Sequence, residues 1–174
     1  MKNKALILII IVSGIFIIFF AVRPTHTPRI AEIGIEVPDF ELAGADNSRI
    51  RLSDMKGSVV FVNFWATWCA SCLDELPSIE RLYRSFAGDS RFRVVTILYK
   101  DNMDTASGFM KKNSHSFPVY LNQDESAAKT LGITGVPETF IIDKKGVLRD
   151  KVIGPAEWDS PNAVQAFLTL INEP

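Results

Sequence analysis

Two cysteines and two histidines are all the thiol and imidazole groups that this chain of 174 residues offers to a metal. A single cysteine pair excludes a secreted scaffold held by several bridges, so the hydrophobic core must hold the fold. A closed zinc site takes four such ligands, and one histidine, His26, falls in a proline-containing stretch near the N-terminus. An excess of one charge is also missing. The chain has 19 basic and 20 acidic residues, interspersed, for a net charge of −1. It therefore has no broad basic field of the kind that holds a nucleic-acid backbone. Internal repeats and low-complexity tracts are absent as well.

What is present begins with an uncharged run from Ala5 to Val22, which as a helix spans about 27 Å, close to the thickness of a bilayer core. Lys2, Lys4 and the terminal amine precede it, which places the N-terminus in the cytoplasm. A signal peptide would also begin this way, but no small-x-small cleavage site follows the run, so an uncleaved anchor is the expectation. Residues 1–22 read as a cytoplasmic start and a single transmembrane helix. Residues 23–37 contain Pro24 and Pro28 and no large aromatic residue, and read as a tether. Residues 38–174 read as one domain on the periplasmic or extracytoplasmic side, where disulfides persist.

Within that domain the patterns alternate. Phe40 to Leu42 and Ile50 to Leu52 flank a turn signal and predict a hairpin. Val59 to Phe64 and Phe92 to Leu98 predict strands buried on both faces. Leu76, Ile79, Leu82, Tyr83 and Phe86 fall at helical spacing and predict a helix from Cys72 to about Ala87, with Pro77 kinking it. Further elements are a helix from about Asp104 to Lys112, a short strand from Phe117 to Leu121, and a short helix capped by Asp124 that ends at Gly132. Thr139 to Asp143 and Val147 to Ile153 predict a second hairpin. A last helix starts at Ser160-Pro161, with Val164, Phe167, Leu168 and Ile171 on its inner face. The order predicts an α/β fold with a central mixed sheet, parallel in its middle and antiparallel at its end.

Cys69 and Cys72 lie between the first buried strand and the helix that follows. Thiol–disulfide exchange needs an accessible thiolate and a second thiol close enough to resolve the mixed disulfide, and Cys-x-x-Cys meets both needs. The helix N-terminus favours a negative sulfur at Cys69, making it the expected nucleophile. Cys72, one turn in, is the expected resolving thiol. Haem attachment would want a histidine at position 73, which is Leu73. A copper(I) site built from the two thiolates and a histidine is the alternative from a different class.

The run Asn63-Phe64-Trp65-Ala66-Thr67-Trp68-Cys69-Ala70-Ser71-Cys72 resembles the active-site segment of the thioredoxin superfamily, and Gly135-Val136-Pro137-Glu138-Thr139-Phe140 resembles its cis-proline segment. Together with the anchor and Glu75, these look most like the extracytoplasmic DsbE, ResA and TlpA group. The resemblance covers about Pro38 to Ile171. It implies a thioredoxin-like fold, a protein-disulfide reductase needing no cofactor, and a membrane electron-transfer protein as the source of reductant. It also implies disulfide-bearing protein substrates, with apocytochrome c favoured and other exported proteins as the alternative. Carried over residue by residue, Cys69, Cys72 and Glu75 are the catalytic candidates, with Glu75 tuning the thiols or handling protons. Trp68, Val136, Pro137 and Glu138 are the substrate-binding candidates. Cytoplasmic thioredoxins carry a buried aspartate where this chain has Asn63, which leaves Glu75 as the substitute. A peroxidase is disfavoured because the motif is a dithiol pair, not a lone cysteine.

Overall fold

A computed structural model describes residues 30–46 and 48–174. The expected transmembrane helix, and residues 23–29 of the expected tether, lie outside the described residues. The elements in order are β1 (Glu41–Gly44), β2 (Arg49–Arg51), a 3-10 turn (Leu52–Met55), β3 (Val59–Trp65), α1 (Ala70–Ser85), β4 (Phe92–Leu98) and α2 (Met103–Lys112). There follow β5 (Val119–Leu121), α3 (Ser126–Leu131), β6 (Glu138–Ile142), β7 (Leu148–Ile153) and α4 (Pro161–Asn172). The strands form one sheet in the order β2-β1-β5-β4-β3-β6-β7. β3, β4 and β5 run parallel, and the pairs on either side of them are antiparallel.

β3 is the centre of the molecule, and every one of its residues is buried. Successive side chains of a strand point to opposite faces, so its two sets of residues enter two different cores. Phe61 and Trp65 pack with Leu76, Ile79, Leu82, Met110 and Phe167, under α1, α2 and α4. Val60, Val62 and Phe64 pack with Phe140, Leu131 and Val37, under α3 and the N-terminal strap. Asn63 falls on the α1 side and is the one polar side chain in this strand. Both faces are covered, which is why β3 and β4 read as largely apolar runs, interrupted in β4 by the exposed Arg93.

Four expectations need correction. The stretch up to Val37 is not simply a tether. Ala31 N donates to Thr130 O, Gly34 N to Leu148 O and Val37 N to Gly146 O, while Leu148 N donates to Ile35 O, so this stretch is pinned to the end of α3 at Ala31 and packed along the turn into β7 from Gly34 to Val37. Asp124 does not cap α3 from the N-cap position. That position is Glu125, in a left-handed conformation, while Asp124 accepts from Ser126 N at 3.0 Å. On α4, Phe167 and Ile171 are buried but Leu168 is 37% exposed. The short strand before α3 is also trimmed to Val119–Leu121, and Phe117 serves as a core residue under α1 and α2 instead.

Candidate active site

The parallel strands β3 and β4 end side by side, and the chain leaving β3 turns through Ala66-Thr67-Trp68 before entering α1. Asp101, just past β4, holds that turn: its Oδ2 accepts from Thr67 N and Thr67 Oγ1, both at 2.7 Å. Burial pushes the Asp101 carboxyl up, but these bonds and one from Asn102 N outweigh it and keep it below the ordinary carboxylate range. Cys69 is the N-cap of α1, with an extended backbone, and its Sγ accepts from Cys72 N at 3.2 Å. The two cysteines are joined by a disulfide, with their Cα atoms 5.3 Å apart. Cys69 is 7% exposed and Cys72 fully buried, so an attacking partner meets Cys69 first. Once reduced, a thiolate at Cys69 lies against the free N–H groups of the first helical turn, which stabilise a negative sulfur.

The second motif closes over this sulfur. Val136-Pro137 is a cis peptide bond, and Val136 O lies 3.6 Å from Cys69 Sγ. Trp68, on the other side of the turn, is 60% exposed, with its Nε1 donating to Lys100 O at 3.3 Å. Trp65, by contrast, is fully buried core.

Glu138 was expected to bind substrate, but its carboxylate is spent inside the protein. Oε1 accepts from Thr134 Oγ1, from Thr134 N at 2.8 Å and from Gly135 N at 3.2 Å, while Lys151 Nζ stands 3.1 Å from Oε2. Burial raises its pKa, and the Thr134 bonds and the Lys151 charge more than offset that, holding it low. The side chain therefore shapes the turn that presents Val136, and any contact of Glu138 with substrate falls to its backbone.

Glu75 sits one turn beyond Cys72 on α1, pointing inward at 2% exposure. Oε1 accepts from Asn63 Nδ2 at 2.8 Å, and Oε2 accepts from Ala156 N at 3.1 Å and from Trp158 Nε1 at 3.2 Å. Burial dominates over these three bonds and raises the carboxyl above its ordinary range. Such a group can exchange a proton at a pH where ordinary carboxylates cannot.

Sequence reasoning missed Ala156 and Trp158, which lie far along the chain. Asn63 carried a usable signal, a lone amide in an otherwise apolar strand. His115 is wedged between Phe109 and Phe117, with ring centroids 6.0 and 5.5 Å away. Among the described residues no group of three or more His, Cys, Asp or Glu is arranged to hold a metal.

Against this geometry the comparisons with known proteins are decisive. The family described as AhpC/TSA matches residues 33–151. The chain belongs to the AhpC/TSA family. The match begins inside the packed strap, as the hydrogen bonds of residues 31–37 would suggest. Within the family, a thiol-disulfide oxidoreductase ResA of Bacillus thuringiensis is 35% identical over 124 residues, covering 71% of this chain and 70% of its own. A thiol:disulfide interchange protein DsbE of Pseudomonas aeruginosa is 32% identical over 157 residues, 87% of this chain and 83% of that one. Among solved structures, a thioredoxin-family thiol:disulfide interchange protein of Chlorobium tepidum superposes with a TM-score of 0.67 at 25% identity, covering 79% of this chain and 96% of that one. This AhpC/TSA member has the thioredoxin-like fold and is a thiol–disulfide oxidoreductase of the ResA and DsbE type, with its cysteine pair at the start of α1.

Proposed function

We propose that this oxidoreductase is a dithiol reductase, held by one transmembrane helix on the outer side of the cytoplasmic membrane, and that its substrate is the disulfide of an apocytochrome c awaiting haem. The observation that carries the reading is the position of Cys69 Sγ, at the N-cap of α1 and 3.6 Å from Val136 O, where a peptide paired to the Val136 backbone would bring its own sulfur alongside.

In the reduced enzyme the Cys69 thiolate attacks one sulfur of the substrate disulfide. A mixed disulfide forms and one substrate thiolate leaves. The Cys72 thiolate then attacks Cys69 Sγ, releasing the second substrate thiolate and leaving the Cys69–Cys72 disulfide. Glu75, a helical turn away, exchanges the proton that Cys72 must lose before it attacks. A membrane electron-transfer protein returns two electrons and so restores both thiols. Trp68 and Pro137 frame the substrate segment, and Glu138 holds the turn that presents Val136.

Deleting the gene in its native host tests the substrate. Holocytochrome c should be lost and should return when a small thiol reductant is supplied. Normal holocytochrome levels would reject apocytochrome c and turn attention to other exported disulfide proteins.

A further inference from the structure

The segment between β7 and α4 was silent in the sequence, yet it reaches under the active-site helix. Gly154 N donates to Pro137 O at 2.9 Å, which fixes the start of the segment to the cis-proline turn. Ser78, on α1, fixes its far end: its single hydroxyl hydrogen is shared between Glu75 O at 2.8 Å and Ala156 O at 3.3 Å, and its Oγ accepts from Trp158 N at 3.1 Å. Trp158 is buried, and its indole packs edge-on to Phe61 with ring centroids 4.9 Å apart, so the direction of its N–H is set by the core. That N–H and the Ala156 N–H meet on Glu75 Oε2, opposite Asn63 on Oε1.

We propose that Trp158 and Asn63 are positioning residues for thiol–disulfide exchange, which fix the Glu75 carboxyl one turn from Cys72 and set the pH at which it gives up its proton. The proposal rests on the reading of Glu75 as the proton-exchanging group. All three donors favour the ionised carboxylate, and they oppose burial, which favours the neutral acid. Among the described residues no charged side chain shares the task. On the β7–α4 side, Glu157 and Asp159 face out to Arg81. On β6, Thr139 is uncharged and accepts from Asn63 Nδ2 at 2.9 Å, while Glu138 is turned to Thr134 and Lys151. On α1 itself the neighbour one turn back is Cys72, held in the disulfide. Asn63 Oδ1 has no partner among the described residues, so this amide is oriented only through its NH₂.

Trp158→Phe keeps an aromatic ring and removes one donor, and Asn63→Ala removes another by an independent route. The test is the pH profile of oxidation of the reduced full-length protein, in detergent, by oxidised glutathione. The wild-type profile should contain an inflection that Glu75→Gln abolishes. In each donor variant that inflection should move to higher pH by about one unit, a roughly tenfold gain in proton affinity. The double variant Trp158→Phe/Glu75→Gln should match Glu75→Gln alone. If both donor variants fold, by circular dichroism, and keep the wild-type inflection, the positioning proposal is overturned while Glu75 keeps its role. If Glu75→Gln leaves the profile unchanged, the reading of Glu75 fails and takes this one with it.

Discussion

α1 carries two buried carboxylates, Glu75 and Glu80, and the protein treats them in opposite ways. Both are nearly inaccessible, at 2% and 6% exposure. Glu75 faces three neutral donors and, among the described residues, no charge, and burial wins: its carboxyl is raised. Glu80 is also pushed up by burial, but Ser116 N at 2.7 Å, Ser116 Oγ at 2.6 Å, Phe117 N at 3.2 Å and the Arg84 guanidinium at 2.6 Å outweigh it, and its carboxyl is lowered. A buried acid is thus not by itself a proton-exchanging group. The number of donors and the presence of a cation decide whether it stays ionised and structural, as Glu80 does, or remains poised, as Glu75 does.

The strongest way to break the comparison is to remove Glu80. Glu80→Ala strands the Ser116 and Phe117 N–H groups and frees Arg84, and should cost about 3 kcal/mol of stability in a denaturant titration. The folded remainder should still exchange disulfides at the wild-type rate. Because its folded pKa is depressed, the stability that Glu80 adds is present above the ordinary carboxylate range and is lost as the pH falls through the folded value. A variant as stable as wild type would mean that the Ser116 contacts are incidental.

A smaller effect of opposite sign is expected at Glu75. Its folded pKa is raised, so between the ordinary value and the folded one the native state holds more protons than the unfolded chain. Stability should then fall as the pH rises through that window. In the oxidised protein, where the cysteines do not titrate, Glu75→Gln should remove this slope, worth about 1.4 kcal/mol for each unit by which the pKa is raised. Identical slopes in the two proteins would place Glu75 with Glu80 as a structural acid.

The chemistry at the surface of the site was legible in the sequence, and the support beneath it was not. Cys69 and Cys72 follow local patterns, a strand end and a helix start, which survive in any one stretch of chain, whereas the cis Val136-Pro137 bond was implied by the family resemblance alone. The link from Asn63 to Glu75 to Trp158 joins three elements that only the folded sheet brings together. The strap 31–37 was misread for a related reason. It has no aromatic anchor, and although Ile33, Ile35 and Val37 alternate with Glu32, Gly34 and Glu36, its backbone bonds to partners around Gly146 and Leu148 that lie more than a hundred residues away. Leu168 marks the limit of periodicity, since spacing defines a helical face but not how far the sheet covers it.

The central claim is that Cys69 attacks substrate disulfides and Cys72 releases the product, and its most direct test is a trap. Full-length Cys72→Ser, expressed in membranes of the native host and quenched with acid, should carry a disulfide-linked protein adduct that reductant removes and that Cys69→Ser/Cys72→Ser lacks. An absence of any such adduct, or one that persists without Cys69, would contradict the account.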